Sequence, residues 1–326
     1  MSLDQTQTHP LLDVKSLVVE FAIDSGLKIQ AVSDVSFTID NGETLGLVGE
    51  SGCGKSTLAR AIVQLQKPTA GKIWFDGAQL AGGNDAHLRR IRPRLQMIFQ
   101  DAAASLNPAR RVGRTISEPL RASGQTHRHK RRDIVCALMQ DVGLDPDQIY
   151  DRRPFELSVG QCQRISIARA LATNPQLLVC DEPVSSLDVS VQAQILNLLE
   201  HIKARHKLTM LFISHDLAVV KHICDRVAVM YLGKLCEIAD SEDLYQSPRH
   251  PYTAALLESV PEIPAAGVQR KITLRGVEMP SPVAPPSGCR FRTRCPRAKK
   301  RCTDIEPVLV DMARGRQVAC HYPLDA

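Results

Sequence analysis

The chain has 326 residues, 44% of them apolar and 23% charged, with a formal net charge of +6. That length holds one large domain and a smaller one, the composition is that of an ordinary soluble globular protein, and so mild a positive charge does not point to nucleic acid. No run approaches the ~18–20 apolar residues of a membrane span, and residues 1–10 are polar without the apolar core of a secretory signal, so a cytoplasmic location is expected.

Residues 11–45 read as strands: Leu12 to Lys15, Leu17 to Phe21, Ile29 to Val32 and Val35 to Ile39 are β-rich, with a turn at residues 40–43. Phe21 is either a core aromatic or a ring that stacks on a base. Thr44 to Val48 is a short apolar run that reads as a buried strand, and Leu58 to Val63 has apolar residues at helical spacing. Between them stand Gly49, Glu50, Ser51, Gly52, Cys53, Gly54, Lys55, Ser56 and Thr57, which match the pattern G-x-x-x-x-G-K-[ST] over residues 49–56. A strand, a Gly-rich turn and a helix start make an anion site, because backbone N–H groups converge there and the helix dipole favours negative charge. Lys55 brings a point charge to the β- and γ-phosphates of a nucleotide, and the Ser56 hydroxyl is placed to ligate Mg²⁺.

Further along, Gly71 to Gly77 reads as a strand closed by a turn, residues 86–94 as a basic helix with a solvated face, and Leu95 to Gln100 as a strand ending on an amide. Residues 113–150 carry helical spacing and look like a helical insert. Leu157, Ser158, Val159, Gly160 and Gln161 precede a helix expected from Gln163 to Thr173, stopped before Asn174-Pro175. A Ser and a Gly at a helix start again suit an anionic partner. Leu177 to Asp181 is an apolar strand with Asp181 and Glu182 at its C-terminal edge, where ligands bind in open α/β sheets. Asp181 can hold Mg²⁺ through water, and Glu182 can polarise an attacking water. An amphipathic helix follows over residues 191–207, then a buried strand from Leu208 to Ser214 with His215 at its end, in reach of a γ-phosphate or simply structural. Val227 to Tyr231 and Leu235 to Ile238 read as two strands around Gly233-Lys234. After Gln246, prolines at 248, 251, 261, 264, 280, 282, 285 and 286 argue against helix and central strand, so a linker and a small module are expected there.

Of the ten cysteines, Cys53, Cys136, Cys162, Cys180, Cys224 and Cys236 are scattered and read as small apolar fillers, whereas Cys289, Cys295, Cys302 and Cys320 crowd the last forty residues. The latter are separated by five, six and seventeen residues, without the C-x₂₋₄-C pair of most structural zinc sites. Their spacing leaves a metal, an iron–sulfur cluster and free thiols open. The basic run from Arg290 to Arg301 reads as a solvated face, or as charge compensation for an anionic centre or contact with acidic headgroups or a partner.

Taken together and in this order, the set resembles the ATP-binding subunits of ABC transporters over about residues 11–250. Gly49 to Thr57 resembles the Walker A motif, Gln100 the Q-loop glutamine, Leu157 to Gln161 the family signature, Leu177 to Glu182 the Walker B strand with the catalytic glutamate, residues 185–188 the D-loop ending on Asp188, and His215 the switch histidine. By the same likeness Phe21 becomes the adenine-stacking aromatic. Ser105-Leu106-Asn107-Pro108, His250-Pro251-Tyr252-Thr253 and the cysteine-rich tail are similar to the peptide/nickel import branch, and the overall pattern most resembles a dipeptide-permease "F"-type subunit.

The resemblance implies an α/β P-loop NTPase (RecA-like) core with an N-terminal antiparallel β subdomain and a helical subdomain at about 103–173. It implies an ATP-binding domain over 1–250, a Pro-rich linker over 251–288 and a Cys-rich module over 289–326. It implies ATP hydrolysis with Mg²⁺ on Ser56, Gln100 and Asp181, Glu182 orienting water, Lys55 and His215 on the γ-phosphate, and a [4Fe–4S] cluster on Cys289, Cys295, Cys302 and Cys320, with Zn²⁺ as the alternative. The implied partners are a second, non-identical ABC ATPase, two membrane permease subunits and a periplasmic or lipid-anchored binding protein, with no nucleic acid. The implied place is the cytoplasmic face of the bacterial inner membrane, as a peripheral subunit. The implied cargo is di- or oligopeptides, with nickel complexes, opines or another small solute as alternatives. A soluble ABC-type ATPase is disfavoured because about a hundred residues separate the phosphate loop from the signature, too few for a coiled-coil arm. A non-hydrolysing subunit is disfavoured by Asp181, Glu182 and His215. The sequence departs from the family twice: Val159 stands where the signature has a first glycine, and Cys162 where an arginine is common. In this family each signature completes the ATP site of the opposite subunit, so Val159 implies a pair with unequal sites.

Overall fold

The computed structural model describes residues 9–23, 26–80, 85–124, 127–259, 274–275 and 279–325. The chain divides into two compact units, Met1–Gly83 with Asp216–Ala326, and Asn84–His215. The first unit opens with β1 (Leu12–Ala22), β2 (Lys28–Ile39), β3 (Thr44–Val48), α1 (Lys55–Ile62), β4 (Ala70–Phe75) and β5 (Ala78–Gln79). The second runs through α2 (Asp85–Ile91), β6 (Leu95–Ile98), α3 (Ala102–Ser105), α4 (Val112–Ala122), α5 (Arg128–Asp141), α6 (Pro146–Ile149), α7 (Val159–Leu171), β7 (Leu177–Asp181), α8 (Val189–His206) and β8 (Thr209–Ile213). The chain then returns to the first unit with α9 (Leu217–Ile223), β9 (Arg226–Tyr231), β10 (Lys234–Asp240), α10 (Ser241–Gln246), α11 (Pro251–Glu258), α12 (Lys300–Asp304), β11 (Val310–Asp311) and β12 (Gln317–Val318).

In the first unit β2, β1, β4 and β5 form an antiparallel sheet, the N-terminal β layer that the resemblance implies. The expected pair of strands over 12–21 is one strand, because Ser16 takes φ 47° and absorbs the irregularity as a bulge without ending the pairing. A second set runs β11-β12-β10-β9-β3, with β3 and β9 parallel. Every residue of β3 is buried, as a strand covered on both faces must be, so it reads as a continuous apolar run and not an alternating one.

In the second unit β6, β7 and β8 are parallel, with Leu177 paired to Leu95 on one side and Thr209 on the other. The helices α3 to α7 span residues 102–171. The helix expected from Gln163 begins four residues earlier, at Val159, because Ser158 and Gln161 close a capping box. Ile195, Leu199 and Ile202 form the buried stripe of α8.

Two features correct the sequence reading of the C-terminal part. The expected linker opens with a helix, α11, since Pro251 sits in its first turn, where a proline costs no hydrogen bond. The cysteine-rich tail does not stand apart. Its β12 pairs with β10 through Glu237↔Val318, and its Phe291 packs edge-on to Tyr231 at 5.2 Å and against Tyr252 at 5.3 Å between ring centres. So short a segment gains apolar burial by joining an existing core. Pro261 and Pro264 lie outside the described residues. Among the described residues no helix is long and apolar enough to cross a membrane.

Candidate functional site

The phosphate loop is held in the first unit by backbone contacts that leave no room for side chains. Gly49 has φ 154°, and a Cβ there would stand 2.1 Å from the Met230 carbonyl oxygen at the end of β9. Gly54 caps α1 in the left-handed region. The Leu232-Gly233 turn between β9 and β10 has φ of 43° and 82°, the two positive values of a tight hairpin turn. Gly233 N–H donates to the Cys53 carbonyl at 2.8 Å, so this turn grips the loop from outside.

Lys55 is buried, and its Nζ donates to the Gly49 carbonyl at 2.7 Å and the Glu50 carbonyl at 3.0 Å. The ammonium is thus held over the loop that would cradle phosphates. Ser56 and Thr57 follow in the first turn of α1, where N–H groups have no helical acceptor. Ser51 and Gly52 are exposed at the tip. Cys53 is buried, and burial raises its thiol pKa despite the nearby Lys55 charge. Phe21, on β1, is 36% exposed, so its ring is not a core residue and stays accessible.

The second unit brings Gln100, Glu182 and His215 together. Asp181 ends β7 fully buried, and Glu182 takes φ 46°, a left-handed conformation that a non-glycine residue holds only when its surroundings over-determine it. Its N–H donates to the Ile213 carbonyl at 3.0 Å, which ties the turn to the end of β8. The Glu182 carboxylate accepts from the Gln100 Nε2 amide at 2.9 Å and stands 3.3 Å from His215 Nδ1. The carboxylate side chain is 14% exposed and the imidazole 59%, so a half-sheltered acid faces a solvent-accessible ring.

In the signature stretch, Ser158 caps α7 by accepting from Gln161 N–H at 3.2 Å. Val159 lies in the first helical turn and is 49% exposed. A Cβ on Gly160 would stand 2.9 Å from Val191 Cγ1, which leaves little room beyond glycine. Leu157 and Gln161 flank this turn. Cys162 is buried against the Pro154 carbonyl at 3.5 Å, and burial raises its pKa. Asp188 caps α8 by accepting from Val191 N–H at 3.0 Å and Ser190 Oγ at 2.7 Å, and these hydrogen bonds lower its pKa.

Cys289, Cys295, Cys302 and Cys320 line one cavity, with His250, Phe291 and His321 among its walls. All four are free thiols. Burial pushes Cys289 up to about 11 and Cys320 up to about 12. Among the described residues no group of three or more His, Cys, Asp or Glu is arranged to hold a metal ion.

The sequence reading missed two residues of this neighbourhood. Arg290 and Arg294, read as part of a solvated face, are buried. Arg290 donates to Gln30 Oε1 at 2.7 Å, to Ser33 Oγ at 2.9 Å and to the Leu232 carbonyl. Arg294 Nη1 lies 2.9 Å from both Glu50 carboxylate oxygens. Their four-residue spacing among apolar and cysteine neighbours was the available signal, but nothing in it named the partners.

Comparison with known proteins bears on these residues. A family described as ABC transporter matches residues 32–185, and one described as oligopeptide/dipeptide transporter, C-terminal region, matches residues 236–302. The oligopeptide transport ATP-binding protein OppF of Salmonella typhimurium is 50% identical over 314 residues, 93% of each chain. The oligopeptide transport ATP-binding protein AppF of Bacillus subtilis is 48% identical over 320 residues, 95% of this chain and 97% of its own. Among solved structures, an ATP-binding cassette captured as a post-hydrolysis dimer with ADP and Pi has a TM-score of 0.65 at 27% identity, covering 71% of this chain and 98% of that one. The chain has the ABC ATPase cassette fold, is an ATP-hydrolysing enzyme, and belongs to the family of oligopeptide transport ATP-binding proteins of ABC transporters.

Proposed function

We propose that this ATPase is the motor of a peptide importer and that its motif residues divide the work as follows. In the first unit, Phe21 stacks on the adenine, the loop from Gly49 to Thr57 and Lys55 neutralise the phosphates, and the Ser56 hydroxyl is a Mg²⁺ ligand. In the second unit, Gln100 and Asp181 are the further Mg²⁺ groups, Glu182 orients the attacking water and His215 meets the charge that develops on the γ-phosphate. Mg²⁺ supplies charge neutralisation on the phosphate oxygens. The protein's own part is positioning and preorganised electrostatics. Leu157 to Gln161 and Asp188 act across the interface on the ATP of a second, non-identical ATPase. Closure of the two would drive two membrane permeases between inward- and outward-facing states, fed by a periplasmic or lipid-anchored binding protein. The subunit would sit peripherally on the cytoplasmic face of the inner membrane.

What supports this reading most is the carboxylate of Glu182 held at 2.9 Å by Gln100 and facing His215 at 3.3 Å. The test is peptide uptake by the assembled transporter carrying Lys55→Ala or Glu182→Gln. Uptake should be abolished with the fold intact, and normal uptake would overturn the assignment.

The four tail cysteines are proposed to hold a [4Fe–4S] cluster. The support is the donor set: four soft sulfurs bordering one space. Such a centre would act as a structural staple for the tail. The burial-raised pKa values of Cys289, Cys295 and Cys320 mean that loading must release protons there. Iron with sulfide in anaerobically purified protein supports the cluster. Stoichiometric zinc without iron would replace it with the zinc alternative.

A further inference from the structure

We infer that Arg294 is a positioning residue for the phosphate loop, acting through the side chain of Glu50, which rests on the reading of that loop as the ATP-binding one. Three side chains converge on Glu50, whose carbonyl also accepts from the Cys53 N–H at 3.3 Å. Arg294 Nη1 bridges both carboxylate oxygens at 2.9 Å. The Tyr252 hydroxyl accepts from the Glu50 N–H at 3.0 Å. The Glu50 carbonyl accepts from Lys55 Nζ at 3.0 Å. The residue that Arg294 grips therefore provides one of the two backbone carbonyls that hold the Lys55 ammonium.

The grip is built and not incidental. The Arg294 side chain is 7% exposed, and its guanidinium lies 5.8 Å from the centre of the Tyr231 ring. Tyr231 in turn stands 4.7 Å from Tyr252 and 5.2 Å from Phe291, ring centre to ring centre, so both groups that reach Glu50 are braced by one aromatic cluster. A sheltered, charge-assisted contact of this kind is stronger than a surface ion pair.

The rest of the loop explains why such a brace has work to do. Gly49 is wedged on Met230 and Cys53 is held by Gly233, but Ser51 and Gly52 between them are exposed. Glu50, half-buried beside that exposed pair, has a buried charged partner. Arg294 and Cys295 both donate their N–H to the Phe291 carbonyl at 3.0 Å, so the brace belongs to the turn that also presents Cys289 and Cys295 to the cavity. It orders the backbone on which Lys55 depends through Glu50.

The test uses the full-length chain with a fluorescent ADP analogue, and the assembled transporter with ATP. Arg294→Ala should weaken ADP binding about tenfold, and Arg294→Lys, which keeps the charge but not the guanidinium's fixed geometry, by less. In the transporter, KM for ATP should rise while kcat stays within about twofold. Arg294→Ala combined with Glu50→Ala should bind no more weakly than the worse single variant, because both remove one contact. Unchanged ADP affinity in a folded Arg294 variant, or losses that simply add, would overturn the proposal. If Arg294→Ala does not fold, the Lys variant and its KM-against-kcat split decide. Lys55→Ala separates the two readings: if it keeps ADP affinity, the phosphate-loop assignment fails, whereas its loss beside an unaffected Arg294→Ala sinks only the brace.

Discussion

Gln100 donates its side-chain amide to the Glu182 carboxylate at 2.9 Å, across eighty-two residues of sequence. The amide leaves the other carboxylate oxygen free of this contact, and Glu182 takes the left-handed φ of 46° to present its side chain there. A neutral amide thus fixes the orientation of the carboxylate that is proposed to orient water.

Replacing that charge should stop turnover without stopping binding. Glu182→Gln is isosteric and keeps a partner for Gln100, so single-turnover ATP hydrolysis should fall about 10²–10³-fold while ATP affinity changes only a few-fold. On the proposal that the stretch containing Val159 serves the ATP of a partner subunit, the same variant should take most of the turnover of the assembled pair. Hydrolysis at most of the wild-type rate would refute both the role of Glu182 and the inequality of the two sites.

The amide itself can be weighed by substitution. Gln100→Ala removes one donor and should slow hydrolysis about tenfold. Gln100→Glu sets two carboxylates face to face, and like charges at this separation repel, so it should slow hydrolysis further. Rapid-quench measurement of the hydrolysis step checks the order, and a Glu variant faster than the Ala variant would contradict it.

The wedge at Gly49 makes a stability prediction. Gly49→Ala puts a methyl group 2.1 Å from the Met230 carbonyl oxygen, at a φ of 154° that L residues avoid. The loss should be about 2–4 kcal/mol in urea unfolding. Gly77→Ala is the control, since at φ 72° its new Cβ meets nothing within 4 Å. It should cost only about 1 kcal/mol of conformational strain. Equal losses would show that backbone strain alone, and not contact with β9, explains the first.

His250 sets an acid limit. It is fully buried at the start of α11, accepts from Tyr252 N–H through Nδ1 at 3.0 Å, and burial lowers its pKa to about 3 from 6.5. A depressed folded-state value means that the neutral ring contributes stability above pH ~6.5, and that this is lost as pH falls toward ~3. Over that window unfolding free energy should drop with a slope near 1.4 kcal/mol per pH unit from this group. His250→Asn, which can still cap the helix, should flatten the slope. An identical slope in the variant would assign the acid sensitivity elsewhere.

Much of the machinery was legible because its chemistry is local. Gly49 to Thr57 is nine consecutive residues whose turn, charge and helix start are all encoded within the motif. Ser158 with Gln161, and Asp188 before α8, are likewise short-range signals that the structure resolves into helix caps. The start of α7 was misplaced because valine and glycine are weak helix formers, and the capping box outweighs them. The Pro-rich stretch hid α11 because a proline at a first turn looks, in one dimension, like a breaker.

By itself, then, the sequence determined the kind of chemistry: a phosphate loop, a strand ending on two carboxylates, a histidine after a buried strand, and four late cysteines. Only the tertiary structure decided which of these touch. The alignment of β6, β7 and β8 brings Gln100, Glu182 and His215 to adjacent positions. The packing of Phe291 on Tyr231 and Tyr252 carries Arg294 across 244 residues to Glu50, turning an apparently solvated arginine into a buried one. The physical reason is that side-chain type and spacing specify what a group can do and which local element it joins. Its partner is set by the burial of distant apolar surface, which no local pattern records.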